Sequence, residues 1–193
     1  MARPRTFDRS RALRKAMRLF WRKGYGATSV QDLGEELGLK PGSLYNAFQD
    51  KHSLFLEALD CYQADEGATP CEVLAGPGSA RAQICRILEA TVEADLADPE
   101  RKGCLMVNSV VELVPHDPAV RERVDAARGQ MLRAVRTAVV RGQQAGEIGA
   151  DHDPDALAVF LVNTLQGLRL TAKMGADRAE LMAIVDVAMR ALD

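Results

Sequence analysis

The chain is poor in aromatics, in cysteine pairs, in histidine clusters and in long apolar runs. Aromatic residues make up 5% of its 193 positions, too few for an ordinary all-β domain, which fills its pleated faces with them. The four cysteines, Cys61, Cys71, Cys85 and Cys104, form no CxxC pair. A chain of this size buries enough surface to need no disulfide framework. The three histidines, His52, His116 and His152, make no metal-ligand spacing with them, so neither a zinc site nor any other cofactor is expected. Met1 to Arg5 is basic, but no apolar segment follows, and no run reaches the roughly 18 residues that span a bilayer. A cytoplasmic protein with no membrane partner is expected. No nucleophile–base pair or phosphate-cradling loop is present, and Gly76-Pro77-Gly78 lacks the lysine of a P-loop. An enzyme is therefore not expected.

What is present is an uneven charge. The formal net charge of −2 hides two unlike parts. Residues 1–51 carry eleven Lys/Arg against five acids, a net +6, and the remainder carries fourteen against twenty-two, a net −8. A small basic head on a larger acidic body points to a polyanion partner for the head.

The apolar period is helical nearly everywhere. Leu13, Ala16, Met17 and Phe20 make a first stripe, ended by Gly24. Val30, Leu33 and Leu37 make a second, ended by Gly38. Pro41 to Phe48 is a third, and Leu54, Phe55, Ala58, Leu59 and Tyr62 a fourth. Asp65 to Ser79 is rich in Gly and Pro and reads as a linker or irregular loop. Further helices are expected around 84–96, over 104–114, from Val120 to near Gly146, after Asp153-Pro154, and after Asp177. The 104–114 helix is apolar nearly all round, so it is expected to be buried. The fold class is all-α, about nine helices, with a head at 1–60 and a body at 61–193.

The strongest local signal lies between Val30 and Gln49. Ser29 can cap a helix with Asp32 as its capping-box partner. Gly34 is small where another helix is expected to cross closely, and Gly38 can take the left-handed conformation that ends a helix in a tight turn. Leu39 anchors the turn, Pro41 opens a new helix, and Leu44 and Phe48 hold it down. Between these anchors Lys40, Gly42, Ser43, Tyr45 and Asn46 are small, polar or basic, as befits a face entering the major groove of double-stranded DNA. An ordinary helical hairpin accommodates each residue singly, but not their spacing together with the charge.

These residues resemble the DNA-binding domain of the TetR/AcrR family of transcriptional regulators. The likeness rests on Gly24-Tyr25, on Thr28 to Leu33, on Leu37-Gly38-Leu39-Lys40-Pro41-Gly42-Ser43-Leu44-Tyr45-Asn46-Ala47-Phe48, and on Asp50-Lys51. More weakly, Gly103 to Asn108 and Leu165 to Arg169 resemble the family's ligand-binding domains. One departure is Lys40, where the family often has Ser or Thr as the helix cap. The resemblance implies that Ser43 and Asn46 read bases, that Tyr45 meets a phosphate or a thymine methyl, and that Thr28, Ser29, Lys40 and Lys51 hold phosphates, with Gly42 allowing close approach. It implies that Arg3 and Arg5 form a minor-groove arm. It implies a repressor released from a palindromic operator by a signal.

One recognition helix reads too little sequence, so a homodimer is expected. Its face is expected on the last two helices, where Ala158, Thr164, Gly167, Thr171 and Ala172 lie around the leucine stripe. In the body, Cys104, Asn108 and Glu112 form a polar stripe at i, i+4, i+8. That stripe is either satisfied internally, for example by Arg169, or lines a cavity for a small-molecule effector, with Met131, Asn163 and Gln166 as further lining candidates. Cys104 follows Arg101-Lys102 at a helix start, two features that favour a thiolate able to sense an electrophile or oxidant. The plainer reading is a small buried hydrophobe. The alternative function is a DNA-binding protein with no small-molecule ligand.

Overall fold

The computed structural model describes residues 8–193, so the expected arm at Arg3 and Arg5 lies outside the described residues. The described residues form ten α-helices and one π-helical turn. In the head, α1 is Arg9–Lys23, α2 Val30–Leu37, α3 Pro41–Phe48 and α4 Lys51–Tyr62. The π turn is Gln63–Gly67 and α5 is Ala68–Ala75. The body continues with α6 Ala80–Ala97, α7 Leu105–Glu112, α8 Pro118–Gln144, α9 Pro154–Lys173 and α10 Arg178–Arg190.

The head's helices are set by local chemistry. The Asp8 carboxylate accepts from the Arg11 N–H and starts α1. Ser29 and Asp32 close a reciprocal capping box on α2, satisfying two N–H groups that the helix leaves open. Gly38 sits at φ 66°, and its N–H reaches back to Gly34 and Glu35. Gly34 is required for a reason other than the expected helix crossing. A Cβ there would stand 2.9 Å from the Leu39 carbonyl oxygen, so it is the turn itself that folds back onto α2. Lys40 makes no side-chain cap for α3, and Pro41 at the first position removes one of the open donors instead.

Asp65 to Ser79 is not an irregular loop. The chain leaves α4 through the π turn directly into α5. Pro70 stands at the third position of α5, just past the π turn, and the helix continues through it. The end of α5 is fastened by Gln83, whose amide donates to the Gly76 and Pro77 carbonyls at 2.9 Å, and by Arg141, which donates to the Leu74 carbonyl at 3.0 Å and to the Gln83 side chain.

The apolar interior has two centres. One joins Phe20, Leu33, Leu44, Phe48, Phe55 and Tyr62 of the head to Leu105 and Met106 of α7 and to Val120 and Val124 of α8. The other lies among α6, α9, α10 and the second half of α8, around Leu88, Val139, Leu161, Leu168 and Leu181. Each such side chain, once fully buried, contributes roughly 1.5–3 kcal/mol. The first centre thus draws on residues both before and after position 60. The α7 helix is not buried all round as its composition suggested. Leu105, Met106 and Ser109 face inward, while Val110 and Val111 are 42% and 80% exposed.

Candidate functional site

The α3 helix is held by Leu44 and Phe48, at 0% and 1% exposure. That anchoring turns Gly42, Ser43, Tyr45 and Asn46 outward, and all four are exposed, with Lys40 beside them at the turn. A Cβ on Gly42 would meet nothing within 4 Å, so its lack of a side chain leaves room on the outer face without any internal need.

Around α3, two of the residues implied as phosphate holders are engaged elsewhere. Thr28 is fully buried, and its hydroxyl donates to the Gly24 carbonyl at 2.6 Å. It fastens the turn after α1 and offers no hydroxyl to a phosphate; nothing in the polar Gly-Tyr-Gly-Ala-Thr-Ser stretch marks this burial. Ser29 is exposed, but its hydroxyl is shared with Asp32. Lys51 opens α4, and its ammonium lies over the Tyr25 ring at 4.2 Å from the centroid. Burial lowers its pKa, against the opposing pull of Glu112 and Asp32. Arg9 is also committed: it bonds Glu57 at 2.7 Å and covers the Phe48 ring at 4.8 Å.

The Tyr25–Gly26 turn connects this surface to the body. The Glu112 carboxylate, at the end of α7, accepts the Tyr25 N–H at 3.0 Å and the Gly26 N–H at 2.5 Å. Nearby, His52 of α4 contacts Asp117, the cap of α8, at 2.7 Å. Trp21 of α1 donates its indole N–H to the Gly103 carbonyl at 3.0 Å. Three side-chain links therefore tie the head to the segment from Gly103 to Asp117.

That segment forms one wall of a cavity of about 430 Å³ bounded also by Tyr62, α8 and α9. Cys104, Met131 and Gln166 line it. Asn108 does not: its amide donates to the Lys102 carbonyl and accepts from the Lys173 ammonium at 3.0 Å. Glu112 is spent on the head, and Asn163 is exposed and outside the lining. The i, i+4, i+8 stripe therefore divides, with Cys104 alone reaching the cavity. The cations expected beside the thiol are occupied as well. Lys102 pairs with Asp98 at 2.7 Å, and Arg101 donates to the Ala172 and Ala176 carbonyls. The neighbour of Cys104 is instead the Tyr62 hydroxyl, which donates to its Sγ at 3.5 Å and accepts from Arg169 Nη1 at 3.0 Å. Burial, then the nearby Cys104 sulfur, raises the Tyr62 pKa well above its ordinary value. Tyr62 and Arg169 were missed as cavity residues. The available signal was an arginine set between Leu168 and Leu170 in the apolar stretch of α9.

Among the described residues no group of three or more His, Cys, Asp or Glu could hold a metal ion, and all four cysteines are free. No helix among them is long and apolar enough to cross a membrane.

A glycine-turned pair of helices presenting a polar face, linked to a helical body with its own cavity, defines a helix-turn-helix transcriptional regulator. Comparison with known proteins sharpens the class. Residues 12–58 match the family described as "Bacterial regulatory proteins, tetR family", and residues 78–188 match "Tetracyclin repressor-like, C-terminal domain". The chain is 37% identical to the HTH-type transcriptional regulator YezE of Bacillus subtilis (strain 168), covering 100% of each. It is 33% identical to the HTH-type transcriptional repressor ComR of Escherichia coli (strain K12), over 97% of this chain and 90% of ComR. A cysteine mutant of the TetR family regulator CifR, solved with a 26 bp double-strand operator DNA, superposes with a TM-score of 0.87 at 39% identity, covering 99% and 100% of the two chains. The protein belongs to the TetR family of bacterial transcriptional regulators.

Proposed function

We propose that the protein is a repressor that binds a palindromic operator as a homodimer and releases it when a small molecule, electrophile or oxidant reaches the body. The outward face of α3 carries this reading. Ser43 and Asn46 are assigned to base edges and Tyr45 to a phosphate or thymine methyl. Lys40, Lys51 and Ser29 are assigned to phosphates, with Gly42 giving clearance. Thr28 is left out of that set because its hydroxyl is buried. ComR, a relative of nearly equal length, is named as a repressor, and CifR has been solved on operator DNA.

Dimerisation is supported by the outer surface of α9, which takes in Gly167 but not most of the small residues around the leucine stripe. Ala158, Thr164 and Ala172 are buried in their own subunit. Phe160, Asn163, Gly167, Leu170 and Met174 follow one another at spacings of three and four and are all exposed. With Val159 and Val187 they make an apolar stripe suited to a second copy.

The cavity favours an effector over the alternative of a DNA-binding protein without one. Cys104, Met131 and Gln166 are its assigned contacts, and Cys104 is the assigned point of attack for an electrophile or oxidant. Asn108 and Glu112 act through the wall, the first by holding α7 to Lys102 and Lys173, the second by holding the head. An effector that fits the cavity better in one setting of α7 shifts the head's equilibrium by that difference.

The test is selection of bound duplexes from a random pool, followed by release assays with the recovered sequence. A two-fold symmetric consensus is expected, released by at least one compound that also raises the thermal stability of the free protein. Recovery of no consensus refutes the operator reading. Release by an oxidant in a Cys104→Ser protein refutes the thiol assignment.

A further inference from the structure

We propose that the ligand of the body cavity is an amphipathic anion, whose carboxylate or equivalent monoanionic group is held by Arg169 and whose apolar tail lies between α7 and α8. The proposal rests on the reading of this cavity as an effector site and names the chemistry of the ligand.

Arg169 is half-buried, and its one hydrogen-bond partner among the described residues is the neutral Tyr62 hydroxyl at 3.0 Å. No carboxylate stands within ion-pair distance of it among the described residues. A guanidinium carries five N–H donors in a planar fork. The side-chain atoms sealed from open space without a partner are Asp95 Oδ2 and Arg141 Nε, so the free nitrogens of Arg169 face open space rather than protein. Arg169 lines this cavity and two further hollows beside it, one of which also holds Asp95, Asp98 and Glu100. A half-buried cation with donors open to a cavity is matched by a planar anion that accepts two parallel bonds.

The acids nearby do not take that place. Asp95, behind Arg169, has its own carboxyl pushed upward by burial. Glu66 and Asp125 lie on the wall with Arg121 and Arg128, which leaves the lining with an excess of positive charge. The opposite wall is apolar, formed by Val107, Val110 and Val111 of α7 and Val124, Ala127 and Met131 of α8. A cavity of about 430 Å³ equals the liquid volume of roughly fourteen waters. It suits an acid of about ten to fifteen non-hydrogen atoms.

The protein carries its own reporter. Its one tryptophan, Trp21, meets the Tyr62 ring edge-on with centroids 4.9 Å apart, one residue away from Arg169. Octanoate and phenylbutyrate are titrated into the free protein against octanamide and phenylbutyramide, with Trp21 fluorescence and calorimetry as readouts. At least one acid is expected to bind about tenfold tighter than its amide, a difference of about 1.4 kcal/mol. In Arg169→Gln the preference is expected to fall to within about twofold, and Arg169→Lys is expected to keep part of it, because charge survives without the fork. Equal binding of acid and amide in the unaltered protein overturns the proposal, as does an acid preference that persists in Arg169→Gln. Should Arg169→Gln fail to fold, the acid–amide comparison in the unaltered protein decides alone. Operator release is scored separately. Acid preference without release upholds the anion site and refutes the effector reading. Release by neutral apolar compounds alone refutes the anion site and upholds the effector reading.

Discussion

The contact between Glu112 and the Tyr25–Gly26 turn predicts a specific pattern of energetic coupling. Glu112 accepts two main-chain N–H bonds from the head. A net hydrogen bond is worth about 0.5–1.5 kcal/mol, and solvent exposure of the carboxylate places the pair near the lower end, at about 1–2 kcal/mol together. For a chain of this length each kcal/mol moves Tm by about 2–4 °C, so Glu112→Ala is expected to lower Tm by about 4 °C. The same contact can be attacked from the other side. A Cβ on Gly26 would stand 3.0 Å from Glu112 Oε1, so Gly26→Ala pushes the carboxylate off its donors without touching α7. The two substitutions are expected to be strongly non-additive, with Gly26→Ala costing less than about 0.5 kcal/mol once residue 112 is alanine. Operator affinity is expected to fall with the same non-additivity, because Tyr25 is the ring on which Lys51 rests. The assays are differential scanning fluorimetry of all four proteins and anisotropy titration of operator duplex at fixed salt. Additive losses in Tm and affinity would show that the carboxylate does not hold the turn, and the reasoning would be refuted.

Asn46→Ala is expected to lose about 1–3 kcal/mol of discrimination between operator and scrambled duplex, while Lys51→Ala weakens both about equally and flattens the salt slope by about one unit. Competition titrations at several salt concentrations check both. Leu170→Glu is expected to give a monomer with unchanged helicity and poor operator binding, read by light scattering and circular dichroism; a dimer of unchanged mass would place the interface elsewhere. Asp32 is held well below the ordinary carboxylate range by its bond to Lys23 and then by those to Ser29. Its folded pKa is depressed, so its stabilisation is complete above about pH 4 and fades as pH falls toward the folded value. The Tm gap between the unaltered protein and Asp32→Asn is therefore expected to narrow on acidification from about pH 5 to about pH 2. A gap that widens would contradict the capping box.

The helix-turn-helix was readable because its signals are local. The partners of Ser29 lie three residues away, the left-handed turn at Gly38 needs no distant contact, and Pro41 announces α3 by itself. The outward residues of α3 followed once Leu44 and Phe48 were assigned inward. Glu112 was misplaced for the opposite reason: its partners are main-chain groups 86 and 87 residues distant, and a main-chain donor leaves no mark on the sequence. Thr28 carries the same lesson, since its partner is the Gly24 carbonyl. The α5 helix was hidden because Gly67, Pro70 and Gly76 are read as breakers when counted together, whereas each falls at or near an end of a helix. On α9 the leucine period, around which the dimer face was expected, is turned into its own subunit, with Leu157, Leu161 and Leu168 buried. It said less about the reverse face, where the exposed stripe of Phe160, Leu170 and Met174 mixes with Asn163 and Gly167.

The 27-residue α8 behaves as a lever. It is a rod of about 40 Å. Its first turns are rooted among head residues through Val120 and Val124, its last among body residues through Val135, Ala138 and Val139. Ala127, Arg128 and Met131 line the cavity between these two roots. From Met131 to Pro118 is about 20 Å along the axis, so a tilt of about three degrees at the cavity carries the head end by about 1 Å. On the proposed reading, a ligand seated against Ala127 and Met131 that tilts the rod about its body root would need only a small displacement of its own to change the stance of α3 on DNA.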